Sequence, residues 1–203
     1  ATPSTGWKFK EWSGDLTGNE NPVQITVNSV KTVKAIFTTN IEGSVQKGPF
    51  LSGTKITVYE LNQDLSQTGK SFTSEITDNS GAFSINEVNL ASDYVRINAD
   101  GYYFNEVKGK NSGAQLSLSL ISEIGGESNV NINIISALER PRVEYLVGKG
   151  NSFIDAKKQA LVEILKIFEI EESGLSNSEF FDITKEGKGN AILLAISSII
   201  QGF

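Results

Sequence analysis

The 203-residue sequence predicts an α+β chain of several modules: a small β-module over 1–39, an antiparallel β-sandwich over 40–125 and an α-helical region over 126–203. Two observations carry this expectation. Up to about residue 122, apolar and polar residues alternate in short runs separated by Gly, Asn, Asp and Ser, the period-two pattern of half-buried strands joined by turns. From about Asn129 the apolar residues recur instead at three- and four-residue intervals, as on one face of a helix. The composition suits such a chain. It is 38% apolar and 21% charged, with 19 Gly against 4 Pro, so its turns rest on Gly, Asn, Asp and Ser.

In the first unit, Val23, Ile25 and Val27 alternate with Gln24, Thr26 and Asn28, which predicts a strand. A turn at Asn28–Ser29 leads to a second strand carrying Val33, Ala35 and Phe37, so the two are expected to form a hairpin. Trp7, Phe9 and Trp12 supply its core. The segments GWKFKEWSGD (6–15), NPVQITV (21–27) and KTVKAIF (31–37) closely resemble the C-terminal half of a divergent internalin B-repeat, a bacterial surface repeat. That family reads G-aromatic-x-F-x-x-W-x-G-D, then a strand, then K-x-V-x-A-x-F. The resemblance implies that the opening strands of the repeat precede Ala1.

The second unit has strand candidates at 41–46, 54–60, 69–77, 81–85, 94–99 and 115–122, regularly spaced as in a sandwich. GSVQKGPFLSGTKITVYEL (43–61), TDNSGAFSI (77–85) and YVRINADGYY (94–103) together resemble the carboxypeptidase regulatory-like module, a transthyretin-like (Ig-like) sandwich. Its most characteristic piece is T-D-x-x-G-x-F at Thr77, Asp78, Gly81 and Phe83. Asp78 can cap a tight turn, Gly81 can take positive φ, and Phe83 then enters the core.

Helical signals follow. Ser136 with Glu139 suits a capping box, with Pro141 distorting so early a start. Ser152 and Asp155 give a better start, followed by a stripe of Phe153, Ala156, Ala160, Leu161, Ile164, Leu165 and Phe168. Lys157, Lys158, Glu163 and Lys166 are assigned to the opposite, solvated face. The segment 190–201 is apolar almost all round, hence buried or paired, and too short for the roughly 20 residues of a membrane span. The block from Asn129 resembles the helical extension after regulatory-like modules in bacterial surface lipoproteins.

Three absences remove whole classes of chemistry. The sequence has no Cys, His or Met, so it offers no zinc finger, no Cys/His nucleophilic pair and no Ser-His-Asp triad. No cofactor is expected. A net charge of −6 and a pI of about 4.8 come with no basic patch of the kind nucleic acid requires. Lys31/Lys34 and Lys157/Lys158 are read as solvated faces.

Asp78-Asn79-Ser80-Gly81 carries oxygen ligands but lacks the longer alternating acidic loop of a calcium site, so it is read as a structural turn at Asp78 and Gly81. Glu169, Glu171, Glu172, Asp182 and Glu186 are read as acidic surface rather than as a catalytic carboxylate pair. Lys47, Lys55 and Asn98 include the residue types of a Lys–Asn isopeptide bond, with no spacing that singles out a triad. The candidate ligand contacts are aromatic: Tyr102, Tyr103, Trp7 and Trp12. Adjacent on a strand end, one of the two Tyr points inward and the other outward; the Trp pair is weighted toward packing.

Two resemblances to modular surface proteins in tandem imply a non-enzymatic piece of a bacterial cell-surface or secreted protein, acting in display, adhesion or binding of a glycan or extracellular protein. Both ends are read as cut, with any leader or lipid anchor outside these residues. The rival expectation is an accessory region of a larger envelope peptidase or glycan hydrolase. A third is an assembly partner that docks through 190–201.

Overall fold

In the computed structural model, which describes residues 1–124 and 129–201, strand β1 (Lys8–Gly14) pairs antiparallel with the first part of β2 (Val33–Gln46). Phe9 lies opposite Phe37, and Trp12 opposite Ala35. This corrects the expected hairpin of 23–27 with 33–37: residues 23–27 form no strand. Their alternation is genuine, but neither face is buried. Ile25, Val27 and Val30 are 37%, 74% and 97% exposed, whereas Lys8–Gly14 brings two large aromatic side chains to the same partner strand.

Strand β2 continues well past the repeat. Its residues from Thr39 to Ser44 pair antiparallel with β5 (Ala82–Val88), and Val45 and Gln46 pair in parallel with β10 (Ile132–Asn133). The approach is close at Gly43, where an added Cβ would overlap the Val130 carbonyl. A second four-stranded sheet has the order β4 (Gln67–Glu75), β3 (Lys55–Leu61), β6 (Tyr94–Gly101) and β9 (Leu116–Glu123), antiparallel throughout. A short ribbon, β7 (Phe104–Asn105) with β8 (Lys110–Asn111), extends from the end of β6.

Three helices follow: α1 (Ile134–Gly148), α2 (Phe153–Ile167) and α3 (Lys188–Gln201), with a short 3-10 turn at Ser178–Phe180. The capping box of α1 sits three residues before its expected place. Asn133 Oδ1 accepts from the Ser136 backbone N–H, and Ser136 Oγ accepts from that of Asn133, each at 2.9 Å. Ser136 thus closes the box from its third helical position, and Pro141 is carried inside the helix. At α2, Ser152 Oγ accepts from the Asp155 backbone N–H at 3.1 Å, as its sequence suggests.

The two sheets face each other across one core. Ile41 and Val45 of β2 and Phe83 and Ile85 of β5 meet Ile56, Val58, Ile97 and Leu120 of the second sheet. The same cluster continues without a break into Ile135, Leu165, Phe181, Leu193 and Ile196. On β9, Leu118 and Leu120 face this core. Ile121, one residue out of phase and so on the other face, packs with Val143, Leu146, Phe153 and Ala160 of α1 and α2. Each such side chain removed from water contributes about 1.5–3 kcal/mol. The expected α+β class, with a sandwich and a mainly C-terminal helical part, is what the structure shows.

Candidate functional site

The aromatic candidates lie in separate places. Tyr103 is half-buried, its ring 5.9 Å from that of Phe50. Its backbone N–H donates to Ser112 Oγ at 3.2 Å. It lines a groove of about 500 Å³ with Asn105, Lys108, Asn111 and Gln115. Tyr102 is 45% exposed. Trp7 is half-buried and packs against the main core, beside a smaller groove of about 320 Å³ that includes Pro3, Asn89 and Leu90. Trp12 stacks at a tilt on Phe9, with centroids 5.1 Å apart, and its indole N–H donates to the Glu20 carbonyl at 2.9 Å.

The turn at Asp78 is tightly built. Its carboxylate accepts from the Ser80 backbone N–H and hydroxyl, at 2.8 and 2.5 Å, and these bonds hold it below the usual carboxylate range. Gly81 has φ +79°, and a Cβ there would press on the Val45 carbonyl. Phe83 follows into the core, 5% exposed. Asn79 Oδ1 accepts instead from the Ser52 backbone N–H at 3.0 Å, so this loop secures its neighbour.

Two of the acidic residues near the C-terminus, Glu172 and Asp182, have partners of their own. Glu172 reaches Lys188 at 3.2 Å. Asp182 is buried, which corrects its assignment to acidic surface. It accepts from Gln46 Nε2 at 2.9 Å and from Thr184. Burial alone would raise its carboxyl. The hydrogen bonds of Thr184 and Gln46, with Lys185 nearby, outweigh that and hold it at about 2. Gln46 Oε1 also accepts from the Ile183 backbone N–H at 3.2 Å, which fastens the segment before α3 to the end of β2. Beside it, Lys47 donates to the Ser197 carbonyl of α3 at 3.1 Å, and burial pulls its pKa down to about 8.

Lys157 is the largest departure from expectation. It was assigned to a solvated face, yet its side chain is 3% exposed, between Glu139 at 3.0 Å and Glu179 at 2.8 Å, each 1% exposed. Ser178 Oγ donates to Glu139 Oε2 at 2.7 Å, and Ser122 Oγ to Glu179 Oε1 at 3.1 Å. The Lys157–Glu179 contact is close but poorly directed for a hydrogen bond, and Glu139 Oε1 has no hydrogen-bond partner among the described residues. Burial would lower the ammonium's pKa, but the two carboxylates outweigh that and keep it charged. Burial pushes the Glu139 carboxyl up, against the pull of Lys157.

A sequence signal for this did exist. Phe153, Ala156, Ala160, Leu161 and Ile164 define the buried face of α2, and Lys157 falls four residues from both Phe153 and Leu161, inside that stripe. The cluster ties α1, α2 and the 3-10 turn together. Among the described residues, no group of three or more Asp or Glu is placed to hold a metal ion, and no helix is long and apolar enough to cross a membrane.

A groove of about 720 Å³ lies beside β2 between β1 and β5, and its lining includes Phe9, Lys10, Asn40 and Glu87. Sequence reasoning singled out none of these as a site, and treated Phe9 as core. The groove depends on two strands far apart in sequence flanking β2, which no local pattern discloses. Its Lys10 ammonium sits 2.8 Å from the Glu87 carboxylate.

No curated protein and no solved structure matches the chain. Residues 1–41 match the family model described as the divergent InlB B-repeat domain, so this opening segment is similar to that repeat.

Proposed function

We propose that these residues form a non-catalytic module of a bacterial cell-surface or secreted protein, which holds a surface repeat at a fixed angle on a sandwich-and-helix body and presents it to a glycan or extracellular protein. The body is read as a regulatory-like sandwich with the helical extension of surface lipoproteins. The repeat match at residues 1–41 supports the surface setting. One observation carries the fixed geometry. Strand β2 (Val33–Gln46) serves the repeat with its first half and the sandwich with its second. A shared strand leaves no linker to bend, in contrast to the flexible connections between most domains.

The test uses the lack of native Cys. Spin labels at Lys34→Cys and Lys158→Cys, one on the repeat's part of β2 and one on exposed α2, report the separation of arm and body. A single narrow distance distribution supports the fixed arm. A broad one, with both variants folded, overturns it.

A further inference from the structure

The end of α2 turns the chain back on itself. The Ile170 backbone N–H donates to the Leu165 carbonyl at 3.0 Å, and that of Glu169 to the Lys166 carbonyl at 3.1 Å. These are the paired bonds that close a helix through one left-handed residue, here Glu169 at φ +58°. Ile170 is thereby set against Leu165, and residues 170–177 run back beside α2. The Glu172–Lys188 ion pair at 3.2 Å fastens this return segment to the start of α3.

A groove lies between α2 and the return segment. Two depressions of about 420 and 280 Å³ form it, joined through Val162, Leu165, Glu172 and Ser173, which line both. Its apolar surface comes from Leu161 and Leu165 on one side and from Ile170 and Leu175 on the other. The charges are sorted by wall. The return segment contributes Glu171 and Glu172, and α2 contributes Lys158 and Lys166.

The outer face of α2 is a ridge. Ile154, Lys158, Val162 and Lys166 follow one another at intervals of four, so they form a single row along the helix. Ile154 and Val162 are 57% and 45% exposed. The ridge is thus apolar and basic, while the groove beside it has an apolar lining and an acidic far wall. Among the described residues, Lys158, Lys166 and Glu171 form no ion pair.

A ridge and a groove that complement each other and lie side by side can close on themselves. A half-turn about an axis that runs along α2, between the two, lays the ridge of each copy in the groove of the other. Val162 then meets the apolar lining of the second copy, and Lys166 reaches its Glu171. The symmetry makes each contact twice. An unrelated partner would have to supply both shapes and both charges, whereas a second copy already carries them.

We propose that the groove between α2 and residues 170–177 is where two copies of this chain pair, ridge into groove, as a twofold dimer. Such a pair carries two surface repeats. The contact lies away from strand β2, so it can fail without touching the fixed arm.

The test is sedimentation of the full chain, of 22.0 kDa, at concentrations up to a few hundred micromolar. A species of twice that mass is expected. Lys166→Glu and Glu171→Lys, both at exposed positions, should each fold and should weaken pairing about tenfold or more, since each sets like charges face to face twice. An equal mixture of the two should recover the dimer, because every reversed charge then faces its opposite. Misfolding of either variant would not give that recovery. A chain that stays monomeric at every concentration overturns the proposal. So does a dimer that both charge reversals leave intact, or a mixture that pairs no better than its components.

Discussion

The repeat and the body reach order by opposite means. Over Lys8–Gly14 the repeat displays a dense aromatic motif, yet Trp7, Phe9 and Trp12 are all only half-buried. The body carries weaker motifs but encloses one core, in which Ile41, Ile56, Ile97, Leu120 and Ile135 are fully buried. It also takes three charged side chains, Glu139, Lys157 and Glu179, out of water at its centre. Recognisable motif and thermodynamic self-sufficiency are therefore separate properties. The repeat borrows its order from the strand it shares, while the body supplies its own.

The largest expected effect lies in the body. Lys157→Met leaves two buried carboxylates without a counter-charge, and should cost about 3–5 kcal/mol of unfolding free energy at pH 7. Part of that loss should return as the pH falls, because burial already pushes the Glu139 carboxyl up and a proton can then replace the ammonium. Urea titration across pH reads both. A loss below about 1 kcal/mol would show that the cluster is wetter than its burial implies, and would weaken the contrast between the two regions.

A smaller effect concerns the tie between the body and α3. The Asp182 carboxyl is depressed from 3.8 to about 2 in the folded chain. Its contribution is therefore complete above about 3.8 and is lost as the pH falls through about 2, with a size of about 2 kcal/mol. Asp182→Asn should lower stability by that amount at pH 7 and flatten the acid limb of the stability curve below pH 4. An unchanged acid limb would remove Asp182 from the account.

The smallest is in the repeat. Trp12→Ala removes the ring stacked on Phe9 and the hydrogen bond to the Glu20 carbonyl, for about 1–2 kcal/mol felt locally. Hydrogen exchange should quicken by roughly tenfold in β1 and stay unchanged in β6. If β6 loses protection equally, repeat and body unfold as one unit and the comparison fails.

Much of the architecture was legible because strand alternation and helical stripes report which face is buried. The expected strands at 54–60 and 94–99 fall within two residues of β3 (Lys55–Leu61) and β6 (Tyr94–Gly101), and the Ser152 cap located α2. Alternation does not report the partner, however. Val23, Ile25 and Val27 carry the pattern, but β1 occupies the edge of β2 that they would have used. Residue type misleads at Lys157, where position in an apolar stripe outranks charge. The joint groove was illegible for a different reason. Asn40 and Glu87 are 47 positions apart and unremarkable until a bulge brings them together. Tyr102 and Tyr103 are equally conspicuous by composition, yet one is exposed while the other packs near Phe50 and lines a groove.

The unbroken run of β2 bears on how such a chain can be cut or recombined. The compositional seam near residue 40 is not a seam in the hydrogen bonding: Thr38 pairs with Lys8 and Thr39 with Val88. A gene rearrangement that moved the repeat by breaking there would carry away half a strand. It would also strand the Asn89 side chain, which donates to the Phe37 carbonyl at 2.6 Å. The unit fit to be inherited or expressed intact therefore extends through the strand, and the repeat and its host sandwich travel together.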